Sequence, residues 1–120
     1  MASWVTQAEI TAAEARVKMI ESWTEKQLQE HVIGLARGLG WWAYHTYDSR
    51  RSQPGYPDLH LIRGSHSMFR ELKTKRGKLS PAQVDCSAVM LGAGLDFAVW
   101  RPADVISGEI VRQLRELGRA

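Results

Sequence analysis

Apolar residues recur at helical spacing through the first forty positions, then shift to an alternating pattern in the middle of the chain. Ile10, Ala13, Val17 and Ile20 follow a 3-4-3 rhythm, a narrow stripe of coiled-coil type. Thr6 with Glu9 has capping-box spacing, so a helix over about 7–22 is predicted. It is too short for a coiled coil by itself and could pack on the domain or on a second copy. Thr24 with Gln27 opens a second helix over about 25–38, with Leu28, Val32, Leu35, Ala36 and Leu39 on one face and Gly38 and Gly40 as the stop. The aromatic run from Trp41 to Tyr47 reads as a strand, and 48–55 as a polar loop. Asp58–Arg63 and Met68–Thr74 read as strands joined through Gly64-Ser65-His66-Ser67 as a hairpin. Ser80, Pro81 and Gln83 cap a helix that ends near Gly92-Ala93-Gly94. Phe97–Trp100 is a buried strand, and Pro102 opens a helical stretch to about 117 with a break near Gly108. The order α-α-β-β-β-α-β-α predicts an α/β domain, a mixed sheet flanked by helices with an extra N-terminal helix.

Composition narrows the class. With 120 residues, 44% hydrophobic and 24% charged, the chain suits one globular domain with its own core. Cys86 is the single cysteine, which excludes an internal disulfide framework and a cysteine-based zinc site and is compatible with a reducing cytosol. No stretch has the character of a signal peptide or membrane span, and a cytoplasmic protein is the expectation. The net charge of +3 hides an asymmetry. Residues 41–80 hold eight cations (Arg50, Arg51, Arg63, Arg70, Lys73, Lys75, Arg76, Lys78) and three anions (Asp48, Asp58, Glu71), a balance of +5 against −2 elsewhere. His45, His60 and His66 fall in the same window. Such a basic patch is either a solvated face or the footprint of a polyanion.

The acidic residues inside the patch carry the chemistry. Pro57-Asp58 is followed 13 positions later by Glu71-Leu72-Lys73. Strand alternation puts Glu71 and Lys73 on one face and Leu72 on the other, and hairpin pairing can bring Asp58 beside Glu71. Two carboxylates with a backbone carbonyl, that of Leu72, and a phosphate oxygen suit Mg²⁺. Such an ion activates a bound water, and Lys73 could orient that water or stabilise the developing anion. The same residues also suit a turn cap at Asp58 and a solvated strand face. Glu25, three residues before Leu28, shares the second helix's inner face, whereas Glu30 lies about 200° around from Leu28 and faces out. Glu25 is therefore the better third acid, or else a helix-dipole carboxylate. Gln29 shares its side.

Taken in order, Glu25-x3-Gln29, Gly40-Trp41, His45-x2-Asp48-Ser49-Arg50-Arg51-Ser52, Gly55-Tyr56-Pro57-Asp58-Leu59, Glu71-Leu72-Lys73 and Gly77-x2-Ser80-Pro81-x-Gln83 resemble the virus-type replication-repair nuclease (VRR-NUC) domain of the PD-(D/E)XK superfamily. The resemblance covers about 24–102, so 24–120 reads as the nuclease domain and 1–23 as an N-terminal helical extension. It implies a restriction-endonuclease-like core, a divalent metal (usually Mg²⁺ or Mn²⁺) and structure-selective DNA cleavage. Small stand-alone members resemble homodimeric Holliday-junction resolvases, while versions within larger proteins act on flaps. Carried across, Asp58 and Glu71 match the metal-binding acids, Lys73 the catalytic lysine, and Glu25 the helix-borne acid that completes the site, often through water.

Around these residues, Ser49, Arg50, Arg51 and Ser52 suit a loop that grips phosphate without reading bases. His45 could bind phosphate or protonate a leaving group, or be structural. His60 alternates onto Asp58's side. Lys75, Arg76 and Lys78 follow the active strand and are expected to touch DNA. Gln83 is explained by its cap, and the resemblance also places a glutamine there. Trp41, Trp42, Phe97 and Trp100 are expected in the core rather than on a base-stacking surface. The expectation is thus a metal-dependent endonuclease acting on branched DNA as a homodimer. The rivals are a flap, nicking or fork nuclease with the same chemistry, and a non-catalytic DNA-binding subunit.

Overall fold

The structure is a computed structural model that describes residues 4–46 and 53–119. The elements are α1 (Gln7–Glu21), α2 (Glu25–Gly38), β1 (Trp42–His45), β2 (Leu59–Arg63), β3 (His66–Leu72), α3 (Pro81–Gly92), β4 (Asp96–Trp100), α4 (Pro102–Ile106) and α5 (Glu109–Glu116). Thr6, Thr24 and Ser80 each close the capping box expected of them. Gly108, at a φ of 81°, breaks the final helical stretch into α4 and α5.

The four strands form one mixed sheet in the order β1-β2-β3-β4, with β3 and β4 parallel and the other pairs antiparallel. The β3–α3–β4 crossover is the helical connection that a parallel pair requires. The hairpin is tighter than the sequence suggests. Arg63 pairs with His66, so the loop is only Gly64-Ser65, with Gly64 at a φ of 59°, and His66 and Ser67 belong to β3. A two-residue turn with positive φ matches the twist of the flanking strands.

One sheet face is the core. Leu59, Leu61, Met68, Leu72 and Trp100 pack with Leu28, Val32 and Ala36 of α2 and Ile110 and Leu114 of α5. The Trp41 indole N–H donates to the Leu114 carbonyl at 2.8 Å, tying the start of β1 to α5. Two cations assigned to the basic patch serve this fold instead. Arg63 lies over the Trp41 ring at 5.0 Å and donates to the carbonyls of Leu39, Arg115 and Leu117. Arg70 is buried, 4.9 Å from the Trp100 ring centroid, and donates to Asp96 and Gln113 at 2.9 Å each.

The aromatic expectation holds only in part. Trp41 and Trp100 are buried, Phe97 is half-buried, and Trp42 is 56% exposed. Alternation explains the difference: Trp42 pairs with Ile62 and points away from the face that carries Ala43 and Leu61. The apolar stripe of α1 is also largely uncovered. Only Ile20 is buried, near the helix's C-terminal end, and α1 rests chiefly on α4.

Candidate active site

The site lies at one end of the sheet, where three strands and two helices bring polar residues together. His45 pairs with Leu59 and Leu59 with Arg70, so one further step along the hairpin sets Asp58 opposite Glu71. The approach to Asp58 is built as a turn. Gln53-Pro54-Gly55-Tyr56 closes with the Tyr56 N–H donating to the Gln53 carbonyl at 3.1 Å. Proline then glycine at the two central positions is what a type II turn demands, and Gly55 has a φ of 85°. A Cβ at Gly55 would also lie 2.1 Å from the Ala82 carbonyl oxygen, so the turn presses directly on α3. The backbone continues with the Thr46 N–H donating to the Asp58 carbonyl at 3.0 Å and the Thr46 hydroxyl to the Pro57 carbonyl at 3.1 Å.

Glu71 is 1% exposed, on the sheet face away from the main core, as alternation with Leu72 predicts. Each carboxyl is held by one neutral donor. The Leu72 N–H donates to Asp58 Oδ2 at 2.8 Å, and the Gln83 amide donates to Glu71 Oε2 at 2.8 Å. The two carboxyls also interact with each other. Burial and then that interaction with Asp58 push the Glu71 carboxyl up to about 9, with a smaller upward push from Glu25 and an opposing pull from Lys73. Lys73, 8% exposed, continues from the end of β3, its N–H donating to the Trp100 carbonyl at 3.1 Å. Buried Glu71 and half-buried Asp58 therefore share one nearby cation, and the Glu71 carboxyl is the one pushed towards its protonated form.

Gln83 has two roles at once. Its Oε1 accepts from the Ser80 N–H at 2.9 Å, closing the cap of α3, while its amide nitrogen holds Glu71. The capping motif found it, but only the crossover that lays the N-terminus of α3 on Glu71's face gives it a second partner. Glu25 is exposed in the first turn of α2, where the buried stripe of Leu28, Val32 and Ala36 has ended. It acts on Glu71 through its charge. Among the described residues no three His, Cys, Asp or Glu side chains cluster closely enough to hold an ion by themselves. The donor set is thus the Asp58–Glu71 pair, with Glu25 farther out. Leu72, expected to contribute its carbonyl, meets Asp58 through its N–H.

Other expected residues divide by location. The Gln29 amide nitrogen and His45 Nδ1 are 3.4 Å apart, and both line a cleft of about 410 Å³ between α2 and β1 with Lys26 and Arg37. His60 is on Asp58's face, but its ring stacks on Phe69 at 4.2 Å and its Nε2 shares a 2.7 Å hydrogen bond with Ser67. Burial lowers its pKa. Lys75 is exposed and ion-paired to Glu21 of α1 at 2.7 Å. Arg76 and Lys78 are exposed on the same turn, which Arg101 shapes by donating to the Thr74 and Gly77 carbonyls. Ser49, Arg50, Arg51 and Ser52 lie outside the described residues. No helix among the described residues is long and apolar enough to cross a membrane. Comparison of the chain with protein-family models, curated proteins and solved structures gives no match in any of the three.

Proposed function

We propose that this chain is a divalent-metal-dependent endonuclease with a restriction-endonuclease-like core, hydrolysing DNA phosphodiester bonds at branched structures as a homodimer. One observation carries the reading. Half-buried Asp58 faces buried Glu71, with Lys73 on the same strand face as Glu71, so the pair is short of positive charge and the Glu71 carboxyl is pushed up. The residues fit a hard cation: both ligands are carboxylates, and the Leu72 N–H and the Gln83 amide orient them. Mg²⁺ or Mn²⁺ held by Asp58 and Glu71 would offset phosphate charge and lower the pKa of a bound water.

The chain's own groups supply the rest. Asp58 and Glu71 are fixed before substrate arrives, since each has one oxygen tied by a neutral donor. Lys73 orients the attacking water and stabilises charge as oxygen adds to phosphorus and the ester P–O bond breaks. Glu25 adds negative charge near the pair, and water can link it to the cation. The cleft that His45 and Gln29 share with Lys26, Arg37 and Glu30 holds two cations against one carboxylate, a balance that admits a backbone phosphate, and from there His45 can return a proton to the leaving oxygen. Arg76 and Lys78 extend the basic surface beyond β3. Two-fold symmetry in a dimer suits paired cuts across a junction.

The test is cleavage of labelled four-way junction, 5′ flap and linear duplex in Mg²⁺ or EDTA, with Asp58→Ala alongside. Metal-dependent cutting of the junction is expected, and the variant should still bind, since it loses a charge that repels phosphate. Absence of metal-dependent cleavage on all three substrates overturns the nuclease reading. Binding without cleavage then leaves a DNA-binding subunit. Cutting of flaps but not junctions replaces the substrate with a flap. Light scattering with and without residues 1–23 tests the dimer and the part α1 plays in it.

A further inference from the structure

The half of Glu71's sheet face that belongs to β1 and β2 carries aromatic rings rather than aliphatic side chains. Trp42 and Tyr44, 56% and 47% exposed, stand on the edge strand with their rings 10° from parallel and 6.3 Å apart. Inward from them, the His60 ring packs on Phe69 and meets the edge of Trp42 at 6.1 Å. Tyr56, from the turn before Asp58, caps the far side of Phe69 edge-on at 6.3 Å. The rings thus form a continuous shelf from the open edge of the sheet to the segment that delivers Asp58.

The shelf is in register with the carboxyl pair. Tyr44 pairs with His60 and His60 with Phe69, while Asp58 and Glu71 are two residues further along the same two strands. Two residues of strand span about 7 Å, close to the reach of one nucleotide in an extended single strand. Lys73 and the exposed Lys75, Arg76 and Lys78 continue beyond the carboxyls, so a polyanion meets rings on one side and cations on the other. A π-rich shelf beside a basic track is how proteins hold unpaired strands without reading sequence.

A second copy of the chain is the rival occupant. The composition argues against it here, because the shelf's rings end in polar tips (the Tyr44 hydroxyl, the His60–Ser67 hydrogen bond), while exposed aliphatic side chains lie elsewhere, on α1 at Ile10 and Met19 and on α3 at Val84, Val89 and Leu91.

We propose that Trp42, Tyr44 and Tyr56, around the His60–Phe69 stack, form a base-stacking shelf that holds an unpaired strand leading into the Asp58–Glu71 site. The inference rests on the nuclease reading above and narrows its substrate to DNA with single-stranded character beside the cut, such as a flap or an opened junction arm.

The test measures binding of the full chain in EDTA, by fluorescence anisotropy, to a labelled oligothymidine strand and to an abasic strand of equal length. Wild type, Trp42→Ala, Tyr44→Ala and the conservative Trp42→Phe are compared, with light scattering on each. Stacking of about 1–3 kcal/mol per base predicts roughly tenfold weaker binding of the abasic strand. Each alanine variant should lose about tenfold on oligothymidine and little on the abasic strand, and Trp42→Phe should recover most of the loss. Equal binding of the two strands by wild type overturns the proposal whether or not the variants fold. Equal loss on both strands, or conversion of a dimer to monomer by the alanine variants, also overturns it. Metal-dependent cleavage is run in parallel on the wild type. Cutting with base-independent binding sinks the shelf alone, whereas base-dependent binding without cutting supports the shelf and sinks the nuclease.

Discussion

Arg70 and Glu71 are neighbours on β3, both almost wholly buried, and they face opposite sides of the sheet. Their surroundings solve the problem of a buried charge in different ways. Around Arg70 the account closes in large part within the protein: Asp96 accepts from its guanidinium, His66 holds the same carboxyl at 2.7 Å, and Gln113 takes a further N–H, while Nε has no partner among the described residues and burial lowers the guanidinium pKa. These partners hold Asp96 below the usual carboxylate range despite its partial burial. Around Glu71 the nearest ionisable partners are another carboxyl and one lysine, and the carboxyl is pushed upward. Closed charge of the first kind fixes a fold. Open charge of the second kind is costly to keep and is the usual mark of a site that takes a charged ligand.

The difference predicts opposite profiles for two single substitutions, and these are the largest effects expected. Glu71→Gln should lower metal-dependent cleavage by about 10³-fold, because it removes an oriented anion from the reacting centre. It should leave stability unchanged or raised, because it also removes a buried acid that is short of a partner. Arg70→Met should lower stability by about 2 kcal/mol in urea denaturation, because it removes a buried guanidinium bonded to Asp96, whose carboxylate is only partly buried, and to Gln113. The comparison breaks if Glu71→Gln unfolds the protein, or if Arg70→Met leaves its denaturation midpoint unmoved.

Dependence on pH sharpens the contrast. Glu71 has a folded pKa above its unfolded value of 4.5, so between pH 4.5 and about 9 the folded state binds more protons than the unfolded state. Its contribution to stability therefore falls as pH rises through that window. Asp96 has the opposite sign, since its folded pKa lies below 3.8 and its stabilisation is lost as pH falls through that region. In EDTA, the melting temperature should drop by at least about 5 °C between pH 5 and pH 8, since one proton linked over three pH units amounts to as much as about 4 kcal/mol. Glu71→Gln should flatten that drop. Mg²⁺ should raise the melting temperature at pH 8 and scarcely at pH 5, where protons already occupy the pair. A wild-type curve flat from pH 5 to 8 in EDTA would remove the argument for open charge.

How much of this could be read from the chain depends on which interactions are local. Capping boxes bond residues three apart, so Thr6, Thr24 and Ser80 announce their helices. Alternation is equally local, which is why Glu71 and Lys73 were legible as one face with Leu72 in the core. Helix phase distinguished Glu25, whose charge reaches Glu71, from Glu30. It said nothing of where the covered stripe ends, and so left Glu25's exposure unseen. Charge counting failed for Arg63 and Arg70 because a count cannot tell a solvated cation from one bonded to carbonyls or carboxylates 24 to 54 residues away. Trp42 was misread for a related reason. Aromatic content marks a strand, but which ring faces outward depends on the register with Ile62, which puts Trp42 on the opposite face from Ala43 and Leu61.

The smallest predicted effect separates two lysines two residues apart. Lys73 is buried at the carboxyl pair, whereas Lys75 is 54% exposed by its side chain and pairs with Glu21, itself 37% exposed. An ion pair in that much water contributes roughly 0–1 kcal/mol, so Lys75→Ala should shift the melting temperature by no more than a few degrees. If Lys75 leaves Glu21 for a phosphate when DNA arrives, the variant should weaken binding about equally on every substrate. The slope of log affinity against log salt should then fall by about one. Cleavage of bound DNA should change far less than in Lys73→Met, which removes the cation beside the carboxyl pair. An unchanged salt slope would assign Lys75 to α1 alone, leaving Arg76 and Lys78 as the cations of that turn that DNA meets.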